Sequence, residues 1–142
     1  MALSVLVVDD SSVMRSMIIR SLRLSGLDLN EVHQASNGEE GLRAIEDNWI
    51  DLALVDLNMP VMSGEEMIRR LRANPDNSDL AIVVVSTEGS VTRIARLKSL
   101  GAEFVHKPFS PEVLRQTIME LTGVSDADQA GTGTLSGGNT DF

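Results

Sequence analysis

Three short apolar runs each end in a side chain able to handle phosphate: Val5 to Val8 before Asp9 and Asp10, Leu52 to Val55 before Asp56, and Ile82 to Val85 before Ser86. A fourth, Phe104 and Val105, leads to Lys107 and Pro108. Such runs are expected of strands buried on both faces. In an open parallel sheet the carboxyl ends of those strands share the edge where ligands bind. Three carboxylates, a hydroxyl and an ammonium would then converge. An acid pair after a buried strand repels itself in a low-dielectric cleft unless a cation neutralises it. Hard cations take oxygen ligands, and Mg2+ (or Mn2+) accepts a few carboxylates while keeping waters and phosphate oxygens, so Asp9, Asp10 and Asp56 suit it. Asp56 stands alone and is the candidate nucleophile: a carboxylate can form an acyl phosphate, and phosphoryl transfer needs chiefly positioning and charge neutralisation. Lys107, Ser86 and nearby backbone amides would hold the phosphoryl oxygens. The competing reading makes Asp9 or Asp10 a helix cap and Lys107 a solvated loop lysine. Their coincidence with Asp56 at matching strand ends favours a site.

The elements that would position these groups alternate, strand then helix, five times, the pattern of an α/β sheet. Strands are expected at about 3–8, 31–35, 52–55, 81–85 and 104–106. The second is the least apolar and belongs near the sheet edge, and the fourth is the most apolar and belongs centrally. Ser12 is the expected N-cap of the first helix, with Val13, Met14, Met17, Ile18 and Leu22 on its apolar face and Gly26 as its stop. Asn37-Gly38 opens the second helix, Ser63 or a neighbour the third, and Asn74-Pro75 closes the third. The fourth helix, from about Ser90 to Leu100, offers Val91, Ile94, Ala95 and Leu97. The fifth starts at Ser110-Pro111 and offers Val113, Leu114, Ile118 and Leu121.

Composition narrows the function classes. The 142 residues, 42% of them apolar, suit one core, and residues 1–122 would form it. Residues 123–142, rich in Gly, Ser, Thr and Asp, have no apolar periodicity and are expected to be a disordered tail. With no cysteine, disulfides and thiolate metal sites are ruled out. His33 and His106 are too unrelated in spacing to argue for zinc. The net charge of -9 and the lack of a basic cluster speak against direct nucleic-acid binding. No apolar run approaches the roughly 18 residues of a membrane span, so a cytoplasmic protein without membrane insertion is expected.

The ordered set Val7-Val8-Asp9-Asp10, then Val55-Asp56-Leu57-Asn58-Met59-Pro60 with Gly64, then Val85-Ser86-Thr87-Glu88, then Gly101-Ala102 and Lys107-Pro108-Phe109 resembles the receiver domain of bacterial response regulators. It is most similar to the chemotaxis-type single-domain, CheY-like members, and the likeness covers about residues 3–121. The resemblance implies a flavodoxin-like, doubly wound (βα)5 fold with a five-stranded parallel sheet in the order 2-1-3-4-5. It implies that Asp56 accepts a phosphoryl group from a histidine kinase, with Asp10 ligating Mg2+ directly, Asp9 largely through water and Asn58 through its backbone carbonyl. Ser86 matches the switch hydroxyl, Phe104 the switch aromatic and Lys107 the phosphate-binding lysine, with a cis bond expected before Pro108. Asn58 and Glu88 fall where the family tunes dephosphorylation, and Thr87 stands where the family prefers a smaller residue. Phe104 has no phenolic oxygen for an output contact.

The implied function is a stand-alone response regulator of a two-component system, serving chemotaxis or motility control. It would catalyse its own phosphorylation and dephosphorylation without turning over an external substrate. Output would be a downstream protein or homodimerisation through the fourth helix, fifth strand and fifth helix. Arg93, Arg96 and Lys98 would form a basic patch there for an acidic partner. The alternative is a phosphorelay intermediate passing phosphate to a histidine phosphotransfer protein. A Mg2+-dependent hydrolase of the haloacid dehalogenase type would want an acid where Asn58 stands. A flavodoxin-like cofactor carrier would want a hydroxyl-rich first loop and more aromatics than three Phe, one Trp and no Tyr.

Overall fold

A computed structural model describes residues 2–123. Five strands, β1 (Leu3–Val8), β2 (Leu29–Ala35), β3 (Leu52–Val55), β4 (Ala81–Ser86) and β5 (Ala102–His106), form one parallel sheet in the order β2-β1-β3-β4-β5. Helices α1 (Ser12–Leu24), α2 (Gly38–Asp47), α3 (Gly64–Ala73), α4 (Val91–Ser99) and α5 (Pro111–Thr122) connect and follow them, with a 3-10 turn at Pro75–Asn77. The flavodoxin-like order expected above is present. β4 lies inside the sheet as its apolarity requires, but the middle strand is β3. β2 is an edge strand. It starts at Leu29, two residues earlier than its polar sequence indicates, because pairing of Leu3 with Leu29 carries the ladder down. β5 likewise starts at Ala102, paired with Ile82.

Period-2 alternation divides the core between the two sheet faces. Val5, Val7, Leu52, Leu54, Val83 and Val85 pack with Ile18, Leu22, Leu114 and Ile118 under α1 and α5. Leu6, Val8, Ala53, Val55, Ile82 and Val84 pack with Met67, Ile68, Leu71 and Leu97 on the opposite side. Every residue of β1, β3 and β4 is buried, which explains their continuous apolar runs.

Side-chain caps start the helices: Ser11, Asn37, Ser63, Ser90 and Ser110 each accept a backbone N–H of the first turn. The first cap is thus Ser11, accepting from Met14 N at 3.2 Å, and Ser12 is the first helical residue. The apolar faces of the helices are narrower than the sequence indicates. Val13 and Met17 of α1 are 69% and 55% exposed, Val91 of α4 is 82% exposed, and Ala95 and Val113 also face solvent. A stripe wider than the surface it covers leaves residues over, and these lie along its flanks. The proposed tail, beyond Gly123, lies outside the described residues. No helix among the described residues is long and apolar enough to cross a membrane.

Candidate functional site

The carboxyl ends of β1, β3, β4 and β5 deliver the expected residues to one edge. Parallel register sets their levels: Val8 pairs with Val55, Val55 with Val84, and Ser86 with His106. Asp9 and Asp56 therefore leave adjacent strands at the same height, with Asp56 N donating to Val8 O at 2.9 Å. Carboxylate oxygens of Asp9, Asp10 and Asp56 lie within 4.8 Å of one another. Lys107 Nζ stands 3.3 Å from Asp9 Oδ2 and 3.6 Å from Asp56 Oδ1. It is the residue before a cis Pro108, and its N–H donates to Ser86 O at 3.0 Å, which ties the β5–α5 turn to the end of β4.

Burial differs within the triad. Asp9 and Asp56 are buried and Asp10 is exposed. Because Ser11 caps α1, Asp9 is spared that duty. Its Oδ1 accepts from Ser11 N at 2.9 Å, while Arg15 holds its main-chain oxygen at 2.6 Å. Burial pushes the Asp56 carboxyl above its ordinary value; the charge of Lys107 opposes this, and that of Asp9 reinforces it. One lysine therefore does not neutralise the cluster. A group that added positive charge would be held strongly here, and an all-oxygen donor set suits a hard divalent ion.

The loop after Asp56 is shaped by two close approaches. Gly64 N donates to Leu57 O at 3.0 Å, and a Cβ at Gly64 would collide with the Asp56 carbonyl oxygen and lie 2.9 Å from Val55 Cγ1. Gly38, opening α2, donates to Met62 O at 3.2 Å. Between these, Val61 adopts φ 68°, with Met62 N donating to Pro60 O at 2.7 Å, a tight γ-type turn that a β-branched residue rarely makes. Asn58 is exposed on this loop.

Ser86 is fully buried at the end of β4, and its Oγ accepts from Glu88 N at 3.2 Å. Phe104 is half-buried in β5 beside the α4 side of the core, its ring centroid 4.6 Å from that of His106. Thr87 is exposed. The structure draws part of the basic patch on α4 inward and leaves Lys98 exposed. Arg93 binds Glu65 Oε1 at 3.2 Å and Glu88 Oε1 at 2.7 Å, and Arg96 binds Glu65 Oε2 at 3.4 Å, so both arginines are spent on internal partners. Glu65 and Arg15 were missed by sequence reasoning. For Glu65 a signal existed: it stands three residues before Ile68 on the buried stripe of α3, where a glutamate needs a cation.

The carboxyl edge of this α/β sheet thus gathers an acid triad and a lysine at the ends of β1, β3 and β5. Residues 5–119 match the response regulator receiver domain, and the chain belongs to that family. It is 34% identical over 130 residues to a chemotaxis protein CheY homolog of Campylobacter jejuni, covering 90% of this chain and 98% of the relative. The chemotaxis protein CheY1 of Helicobacter pylori is 33% identical over 126 residues, covering 87% of this chain and all of the relative. The structure of Vibrio cholerae chemotaxis protein CheY4 superposes with a TM-score of 0.75 at 33% identity, covering 85% of this chain and 99% of that one.

Proposed function

We propose that Asp56 accepts a phosphoryl group from the phosphohistidine of a histidine kinase, and that the domain acts as a cytoplasmic response regulator of the chemotaxis type. The observation that carries this is the placement of Lys107 Nζ between Asp9 and Asp56, with three carboxylates gathered within 4.8 Å. In the transfer, an Asp56 carboxylate oxygen forms a bond to phosphorus. The P–N bond of the donor breaks with its electron pair left on the imidazole nitrogen. Asp9, Asp10, Asp56 and the Asn58 carbonyl would hold Mg2+ or Mn2+, which supplies charge neutralisation for the phosphoryl oxygens. Lys107 would neutralise a second oxygen and Ser86 donate to a third, while Asn58 and Glu88 are the residues assigned to tuning hydrolysis.

An apolar groove of about 530 Å³ lies beside Lys107, lined by Met14, Met17, Leu24, Pro108 and Phe109, on the side from which a phosphoryl donor could approach Asp56. Output runs through α4, β5 and α5. There we assign contact with a downstream protein or a second copy to a face that includes half-buried Phe104 and the exposed Val91 and Val113.

The test is intact-mass analysis after incubation with acetyl phosphate and Mg2+. The expected result is one added phosphoryl group in the wild type and none in Asp56→Asn. A gain that persists in the variant, or no gain in the wild type, refutes the assignment.

A further inference from the structure

Glu65 is the one buried glutamate among the described residues. Three arginines converge on it: Arg69 at 2.6 Å from its own helix, and Arg93 and Arg96 from α4 at 3.2 and 3.4 Å. Burial by itself would raise its pKa, but the hydrogen bonds from Arg96 and Arg93 and the charge of Arg69 outweigh this, and it is held below the ordinary carboxylate value. Arg93 also grips Glu88, whose other oxygen accepts from Ser90 N at 2.9 Å; the N–H of Glu88 in turn donates to Ser86 Oγ.

These contacts close a ring. From the candidate acceptor one side runs through Leu57, Gly64 and Glu65, and the other through Lys107, which pairs with Asp56 and donates its N–H to Ser86 O, and then through Ser86, Glu88 and Arg93. The two sides meet in the Glu65–Arg93 ion pair. An ion pair of this kind returns little net stability, because desolvation offsets attraction, but it fixes one geometry against others.

We propose that Glu65, Arg93 and Arg96 form an ionic latch that holds α4 and the β4–α4 loop against α3, and that the latch sets how readily occupation of Asp56 moves them. This rests on Asp56 being the phosphoacceptor. A Ser86 hydroxyl turned toward a phosphoryl oxygen rotates away from Glu88 N–H. The loop can follow only as far as the Glu88–Arg93–Glu65 pairs yield. Glu65 and Arg93 are positioning residues: neither reaches the reacting atoms, and both act through Glu88 and the loop. Loosening the latch removes a cost from the switched state and so raises affinity for whatever stabilises that state.

The experiment compares wild type, Glu65→Gln, Arg93→Gln and, as a control on the adjacent Glu66–Arg70 pair, Glu66→Gln. Amide hydrogen exchange over residues 87–99 of the free protein should quicken in the first two variants and not in the control. Titration with beryllofluoride and Mg2+, followed by 19F NMR, should show affinity about fivefold or more tighter in the same two. If the wild type takes up no beryllofluoride, the phosphoacceptor reading fails, and the exchange data alone judge the latch. Exchange unchanged in Arg93→Gln, or wild-type uptake with equal or weaker affinity in it, overturns the inference. Arg93→Gln leaves Glu65 paired with Arg69 and Arg96, so the test survives if Glu65→Gln does not fold.

Discussion

Replacing Asp56 by Asn should stabilise this protein in the absence of divalent cations, although it destroys the proposed function. At an effective dielectric of about 20, Lys107 at 3.6 Å attracts the Asp56 carboxylate by roughly 4 to 5 kcal/mol. Asp9 and Asp10, no farther than 4.8 Å at their nearest oxygens, each repel it by about 3.5 kcal/mol on the same scale. Asp10 is exposed, so solvent screens its share. Burial of the Asp56 charge adds to the repulsive side. The balance is a penalty of about 1 to 3 kcal/mol, which an uncharged isostere escapes. For a domain of this size that is a rise in Tm of roughly 4 to 12 °C.

The pH dependence follows from the sign of the shift. The folded pKa of Asp56 lies above its unfolded value, so below the unfolded value the acid is neutral in both states and carries no penalty. The penalty grows as pH rises and is complete above the folded value. Thermal unfolding in chelator at pH 7.5 and at pH 3.5 should therefore show a gap between the variant and the wild type that closes on acidification. Adding Mg2+ should narrow the gap from the other side, since a ligand bound to the folded wild type raises its stability by mass action. A variant no more stable than the wild type at pH 7.5 in chelator would refute the reasoning.

Two further outcomes test the loop that carries Asp56. Gly64→Ala forces a Cβ into the Asp56 carbonyl and should cost about 3 kcal/mol or more, lowering Tm by roughly 10 °C and slowing acetyl phosphate labelling in the folded fraction; a normal Tm and rate would contradict the close approach. Val61→Asn places a residue tolerant of positive φ in the strained turn and should gain about 1 kcal/mol in urea unfolding, while a loss would show that the turn carries no strain.

What the sequence made legible were features written locally: runs that end in acids, caps, turn glycines, and the order of motifs that match a family. Asp9, Asp10, Asp56 and Lys107 come together because parallel register is set by strands whose apolar runs are visible. The choice between Ser11 and Ser12 was not legible, since both can cap and one residue of phase decides it. Neither was the exposure of Val13, Met17 and Val91, which depends on how wide a strip of sheet each helix covers. The arginines of α4 look like surface charge because their partner Glu65 lies 28 and 31 positions away, beyond any helical or strand period.

The strand order has a mechanical consequence. β3, which carries Asp56, is the middle strand; Leu52 and Leu54 are embedded in one core and Ala53 and Val55 in the other, so it cannot shift without disturbing both. Outward from it, β4 ends in Ser86 and β5, at the sheet edge, in His106 with Lys107 just beyond, and Phe104 is only half-buried. Stiffness therefore falls from the middle of the sheet toward β5 and α4. A chemical event at Asp56 meets an unyielding support on its own strand and a compliant one two strands away. β2 forms the other edge, but of the two edge strands only β5 leads into the acid cluster, through Lys107, so a displacement that began at Asp56 would have its compliant neighbour on that side.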